Sequence, residues 1–343
     1  MRYPKFLQEN GTIGFVAPSF GCATEPYKSA FDNALIKLKG LGYNYVLGPN
    51  CYADKGIGIS NTPKLCADEL NEAYVSAESD VIISCGGGEL MCEVVPYIDF
   101  DRIRAAEPKW YMGYSDNTNF TFLSNILSDT AAIYGPCAAS FGMDKWHDSL
   151  NDAMDMLRGA KKSFSGYDKW ELESLKDEDN PYAVYNLTEK TEYKYYPDSL
   201  NNEAKISGRL IGGCVDCLVN LLGTEFDKVT EFADRYADDG IIWFLECCDL
   251  NVMSIRRTFW NMKYAGWFKN VKGFMIGRPM HYNEPMMGLD QYSAVTEILK
   301  EFDVPVIMDL DIGHLPPMMP IISGAKATVT AKGNNITVDY DFN

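Results

Sequence analysis

The feature that most constrains this chain is a rhythm. From residue 12 onward, short apolar runs alternate with stretches of helical period. "TIGFVAPS" leads to a helical stretch over 26–40, "YNYVLGPN" to one over 63–77, and "SDVIISCGGG" to a short helix. "KWYMGYSD" then stops at a serine and runs into a segment ready to start a helix. Apolar runs of this length separated by amphipathic helices predict a parallel sheet covered on its faces. In such sheets the loops that do chemistry lie at the carboxyl ends of the strands. Three runs here end in suggestive loops: Ala17-Pro18-Ser19, Cys85-Gly86-Gly87-Gly88 and Gly113-Tyr114-Ser115-Asp116.

The rhythm breaks over residues 160–205, which are rich in charge, proline and aromatics, and which read as a linker or an excursion over a cleft. It resumes with "KISGRLIGG", "GIIWFLECCD", "VKGFMIGRP" and "VPVIMDLDIGH", with helices from about 214, over 252–265 and over about 291–301. The tail alternates apolar and polar residues around Gly333-Asn334-Asn335, the pattern of a β-hairpin. The expectation is therefore an α/β protein: a Rossmann-like parallel-sheet domain over 1–165, the excursion over 166–204, and a mixed α/β domain with antiparallel closing strands over 205–343.

A formal charge of −17, from 31 Lys and Arg against 48 Asp and Glu, repels polyanions, so nucleic-acid polymers are not expected partners. No 18-residue apolar span and no cleavable leader is seen, so the expectation is a cytoplasmic protein away from the membrane. Ten cysteines, several inside strand-like runs, fit reduced thiols used as small hydrophobes. Cys214-Val215-Asp216-Cys217 is a lone CxxC with no second pair and no nearby histidine, so no metal is expected.

A nucleophilic serine needs an exposed turn, a base, a group orienting the base, and donors for an oxyanion. Gly113-x-Ser115-x-Asn117 has the leading glycine of a strand-to-helix elbow, with Asn117 where a second small residue is usual. Capping of the next helix by Ser115 or Asp116 explains the same residues. Only three histidines exist to serve as a base. His147 lies in a polar helix-like stretch and His281 in a loop without an obvious acid before it. His314 follows a strand in a Gly-His-Leu-Pro-Pro turn and is the favoured base. Glu246 closes five apolar residues and is costly to bury without a partner, which makes it the leading orienting acid, with Asp309 and Asp311 as competitors. The backbone N–H of Asp116 is the first oxyanion donor. The loop Gly86-Gly87-Gly88 is the second, since glycine lets an amide approach a reacting carbonyl. Neither a dinucleotide nor a P-loop fingerprint is present, and no cofactor is expected. Arg209 could hold a substrate carboxylate, or form an ion pair. The aromatic excursion around Trp170 could stack on a substrate, or glue itself to the surface.

These segments, "GFVAPS", "CGGG" with "VVPYIDFDRI", "GYSDNT" with "YGP", then "SGRLIGGC", "FLE" and "DIGHLPPMMPI", together resemble the LD-carboxypeptidase family of serine peptidases, which includes the microcin C self-immunity hydrolases. The resemblance runs through nearly the whole chain in order. It implies Ser115 as nucleophile in the N-terminal domain, with His314 as base and Glu246 as its orienting residue from the C-terminal domain. The oxyanion donors become the amides of Asp116 and Gly87, with Gly86 as the second choice for the glycine. It also implies a metal-free reaction and commonly a homodimer. Cys85 stands where many murein-type members carry Arg before the double glycine, and "ECCDLN" lacks the Lys expected soon after the glutamate in microcin-type members. The implied activity is cleavage of the amide between an L-centre and a C-terminal D-amino acid in murein peptides. A hydrolase of peptidyl or aminoacyl nucleotides is the alternative within the family, and a non-catalytic two-domain binder of small ligands the alternative outside it. The expected partner is thus a small peptide or peptidyl-nucleotide substrate.

Overall fold

The computed structural model describes Met1–Phe342. The chain divides into two compact units, one made of Met1–Lys161, Glu173–Asn186 and Pro320–Ile322, the other of Lys162–Leu172, Leu187–Met319 and the chain from Ser323. The aromatic excursion is thus split: its 173–186 portion belongs to the first unit and its flanks to the second. Within the first unit Lys176 stacks over the Tyr27 ring, and the Asp144 N–H donates to the Tyr182 carbonyl at 2.9 Å.

The first unit carries β1 (Thr12–Val16), α1 (Tyr27–Gly40), β2 (Asn44–Leu47), α2 (Pro63–Val75), β3 (Val81–Ser84), α3 (Phe100–Ala105), β4 (Trp110–Gly113), α4 (Thr118–Ser128), β5 (Ala132–Tyr134) and α5 (Asp148–Arg158). Its sheet runs Ile321–Ser323, β5, β4, β3, β1, β2, and the β5-β4-β3-β1-β2 pairs are parallel. β3 and β4 are buried along their whole length, as continuous apolar runs require. Their carboxyl ends emerge side by side, because Ile83 pairs with Met112, and so bring the Gly86-Gly87 loop next to the Ser115 turn.

In the second unit the chain adds β6 (Ser163–Ser165), β7 (Lys169–Trp170), β8 (Glu189–Lys190), β9 (Lys194–Tyr196), β10 (Glu203–Cys214), α6 (Val215–Leu221), α7 (Val229–Arg235), β11 (Ile241–Glu246), α8 (Val252–Tyr264), β12 (Val271–Gly277), α9 (Gln291–Leu299) and β13 (Val306–Leu310). After β14, the Ile321–Ser323 strand already placed, come β15 (Lys326–Lys332) and β16 (Asn335–Asp341). The sheet order is β6-β16-β15-β10-β11-β12-β13-β9, parallel from β10 to β13 and antiparallel at both flanks. The expected hairpin is β15–β16, with Lys332 paired to Asn335 across the turn. β11 is buried from Ile241 to Glu246, so it delivers a carboxylate to its carboxyl end inside the protein.

Candidate active site

β4 ends at Gly113, Tyr114 stays extended, and Ser115 takes φ 62°, a left-handed conformation that costs a non-glycine residue about 1 kcal/mol or more and that marks functional turns. A Cβ on Gly113 would come within 2.9 Å of the Asn117 side chain, so glycine is required there. Asn117 does more than tolerate the turn. Its amide donates to the Gly86 carbonyl at 2.8 Å and to the Tyr114 carbonyl at 3.1 Å, while its oxygen accepts from the Tyr111 hydroxyl. One buried side chain therefore ties the glycine loop to the serine turn.

Gly87 lies against the serine, since a Cβ there would stand 3.0 Å from Ser115 Cβ and 3.1 Å from its Oγ. The Ser115 N–H donates to the Tyr134 hydroxyl at 3.4 Å. The Asp116 carboxylate is buried and anchors the turn from beneath: it accepts from the Ser19 hydroxyl, from the Met91 N–H at 2.9 Å and from the Asn119 amide at 3.0 Å. Sequence reading singled out the Ala17-Pro18-Ser19 loop without assigning Ser19 this contact. The α4 helix that follows begins at Thr118, without a side-chain cap from Asn117.

In the second unit the structure brings Glu246 and His314 together, with His314 Nδ1 2.8 Å from Glu246 Oε2. The carboxylate is fully buried and can only accept, so Nδ1 carries the proton and Nε2 is left as the basic nitrogen. Gly313, at φ 105°, sits where a side chain would collide with that carboxylate, which explains the glycine before the histidine. Burial by itself pushes the His314 imidazolium toward deprotonation. The Glu246 charge, together with hydrogen bonds to Cys248 and Glu246, outweighs it and raises His314 well above its ordinary value. Burial pushes the Cys248 thiol up, with His314 pulling against it.

Cys248 and Asp216 are members of this cluster that sequence reading missed. Asp216, in the first turn of α6, accepts from the N–H groups of Cys248 at 3.0 Å and Asp249 at 2.8 Å, fixing the chain just past Glu246. The available signal was the strand-end position of Cys214, which pairs with Glu246 across β10 and β11.

The other candidates go elsewhere. Arg209 lies toward the opposite end of the strands from Glu246, its register partner being Ile241 at the start of β11. Its guanidinium donates to Asp239 at 2.6 Å and to the Gly324 carbonyl at 2.6 Å and packs on the Tyr236 ring, so the ion-pair reading describes it. Trp170 is buried against Tyr282, with the Arg278 guanidinium 4.9 Å from its ring centre, rather than standing as an open wall. Asp311 is ion-paired to Arg278, and Asp309 accepts from Tyr292, which removes both as competitors for His314 Nδ1. His147 caps α5 by accepting the Ser149 N–H, and His281 is an exposed partner of Glu284. Among the described residues no group of three or more His, Cys, Asp or Glu is disposed to hold a metal, and no helix is long and apolar enough to cross a membrane.

The first unit thus presents a serine on a strand-to-helix turn, and the second an imidazole oriented by a buried carboxylate. The chain matches the LD-carboxypeptidase N-terminal domain over residues 13–135 and the LD-carboxypeptidase C-terminal domain over 207–329, and it belongs to that family of peptidases. It is 27% identical to the microcin C7 self-immunity protein MccF of Escherichia coli, over 98% of this chain and 95% of that protein. It is 24% identical to a probable murein peptide carboxypeptidase of Bacillus subtilis, over 98% and 94%. The crystal structure of an MccF-like protein from Bacillus anthracis shares the fold with a TM-score of 0.82 at 22% identity, covering 99% of this chain and 100% of that one.

Proposed function

We propose that this peptidase-family hydrolase is a serine-type LD-carboxypeptidase that cleaves the amide between an L-centre and a C-terminal D-amino acid of murein peptides. The observation that carries the reading is the left-handed backbone of Ser115 with Gly87 at its shoulder, a cost without structural return unless the hydroxyl must be presented beside amide donors. In this reaction His314 Nε2 takes the proton from Ser115 Oγ as that oxygen attacks the scissile carbonyl. Glu246 stabilises the imidazolium formed, and the N–H groups of Asp116 and Gly87 donate to the oxyanion. The imidazolium then protonates the leaving amine, and water, deprotonated by His314, hydrolyses the acyl-enzyme.

Release of free D-alanine from a murein tetrapeptide by the wild type, and its loss in Ser115→Ala, tests this. Release by both proteins, or by neither, refutes it. A second reading is supported by the likeness to the microcin self-immunity protein, one solved structure of which is a complex with aspartyl sulfamoyl adenosine. In that reading the acyl group is carried by a nucleotide, and hydrolysis of an aminoacyl nucleotide with no action on the tetrapeptide distinguishes it.

A further inference from the structure

Asn117 occupies the place where a strand-to-helix elbow usually has a small residue, and it is fully buried. Its side chain does not cap α4, so the helix makes no use of the amide. The amide nitrogen instead reaches two backbone carbonyls, that of Gly86 at 2.8 Å and that of Tyr114 at 3.1 Å. A primary amide has two N–H groups, so these two bonds use both. Carbonyls only accept, so the nitrogen must be the end that faces them, and the oxygen is left to accept from the Tyr111 hydroxyl.

The two carbonyls belong to two particular peptide units. The Gly86 carbonyl is one end of the unit whose other end is the Gly87 N–H. The cis peptides of the chain all precede proline, so this unit is trans and its N–H points opposite to its C=O. Whatever holds the carbonyl therefore aims the N–H. Ser84 Oγ donates to the same carbonyl at 3.0 Å, and two donors fix a direction about which one alone would let the peptide pivot. Among the described residues no group accepts from the Gly87 N–H. The Tyr114 carbonyl, in turn, ends the peptide unit that enters Ser115 and its left-handed turn at φ 62°. Gly87 and Ser115 are in contact, as the 3.0 Å from a Cβ on Gly87 to Ser115 Cβ shows.

We propose that Asn117 is a positioning residue that sets the Gly87 N–H relative to Ser115 Oγ, a single amide fixing the spacing between oxyanion donor and nucleophile. This rests on the hydrolytic reading above and adds to it the residue that builds its oxyanion site. Asn117 itself touches no reacting atom. Its effect is large because a displacement of about 1 Å in a group that meets the transition state costs about 10² in rate. A side chain that served packing alone would change stability and leave the chemical step as it was.

The test compares full-length Asn117→Ala with the wild type. The substitution strands neither carbonyl, because Gly86 keeps Ser84 Oγ and Tyr114 keeps the Asn117 backbone N–H at 3.2 Å, so the variant should fold, which circular dichroism checks. On the murein tetrapeptide kcat should fall about 10- to 100-fold with KM within about threefold of the wild type, because the donor is misaimed rather than deleted. The crystal structure of the variant should show the Gly86–Gly87 peptide pivoted about its remaining bond to Ser84. Asn117→Ser, a small residue of the kind usual at an elbow, replaces Asn117→Ala in both measurements should the latter not fold: its hydroxyl is too short to reach the Gly86 carbonyl, so the same losses are expected. A wild type inactive on the tetrapeptide refutes the hydrolytic reading alone, and the crystal structure of the variant then decides the role of Asn117. A folded variant with kcat within about threefold of the wild type, or a loss carried by KM alone, overturns the proposal. So does a Gly86 carbonyl that keeps its wild-type direction without the amide.

Discussion

Replacing Glu246 by glutamine keeps the shape of the side chain and removes the one charge that faces His314 Nδ1. The two groups stand 2.8 Å apart with the carboxylate fully buried, so the attraction acts with little solvent screening. Unit charges about 4 Å apart, the separation appropriate to groups that delocalise their charge, attract by about 4 kcal/mol at an effective dielectric constant of about 20. That attraction exists only while the imidazole is protonated, which in the proposed reaction is the transition state, so its loss lowers kcat by about 10³. The pH dependence moves as well. The base must be neutral in the free enzyme, so kcat/KM of the wild type rises with pH through the His314 value, which Glu246 holds well above ordinary. In Glu246→Gln the burial that opposes protonation meets a weaker opponent, and the acid limb shifts to lower pH on a far lower plateau. The assay is release of the C-terminal D-amino acid from a murein tetrapeptide between about pH 5 and pH 10, comparing kcat and kcat/KM. A variant that keeps the wild-type plateau, or whose acid limb does not move down, refutes this account of the pair.

Ser115→Gly should be inactive yet more stable than the wild type by about 1 kcal/mol in denaturant unfolding, because glycine adopts the left-handed conformation without strain. Gly87→Ala, whose Cβ would crowd Ser115 Oγ at 3.1 Å, should lower kcat by on the order of 10² while leaving the unfolding midpoint close to that of the wild type. Arg209→Ala should do the reverse: it loses about 1–3 kcal/mol of stability by leaving the Gly324 carbonyl without its donor and the Tyr236 ring without its cover, Asp239 keeping Lys326, with kcat unchanged, since Arg209 pairs with the start of β11 and Glu246 ends it. The His314 value is raised on folding, so the pair's contribution to stability is fully present below about pH 6.5 and is lost as pH rises through the folded value. The stability gap between wild type and Glu246→Gln should therefore narrow on the alkaline side, read from urea melts across pH.

What the sequence determined by itself is what depends on local period and local chemistry. Buried strands must be continuously apolar and helices must repeat near 3.6 residues, so the α/β class, the presence of a parallel sheet and the closing β15–β16 hairpin were legible from neighbouring residues alone. The glycine before Ser115, the scarcity of histidine, and a glutamate closing a buried strand narrowed the candidate site for the same reason: each is a local departure from what packing alone would choose. Tertiary structure decided the partnerships. Asn117 stands in for a small residue because it reaches the Gly86 carbonyl, 31 residues away, and Asp216 reaches the amides past Glu246 from 32 and 33 residues away. Arg209 and Asp239, likewise distant in sequence, meet at the end of β10 and β11 opposite Glu246, and Trp170 is covered by Arg278 rather than left open to a substrate. No periodicity encodes these contacts. They follow from which strand ends the sheet order makes neighbours, and from the need of each buried charge for a partner within hydrogen-bond reach.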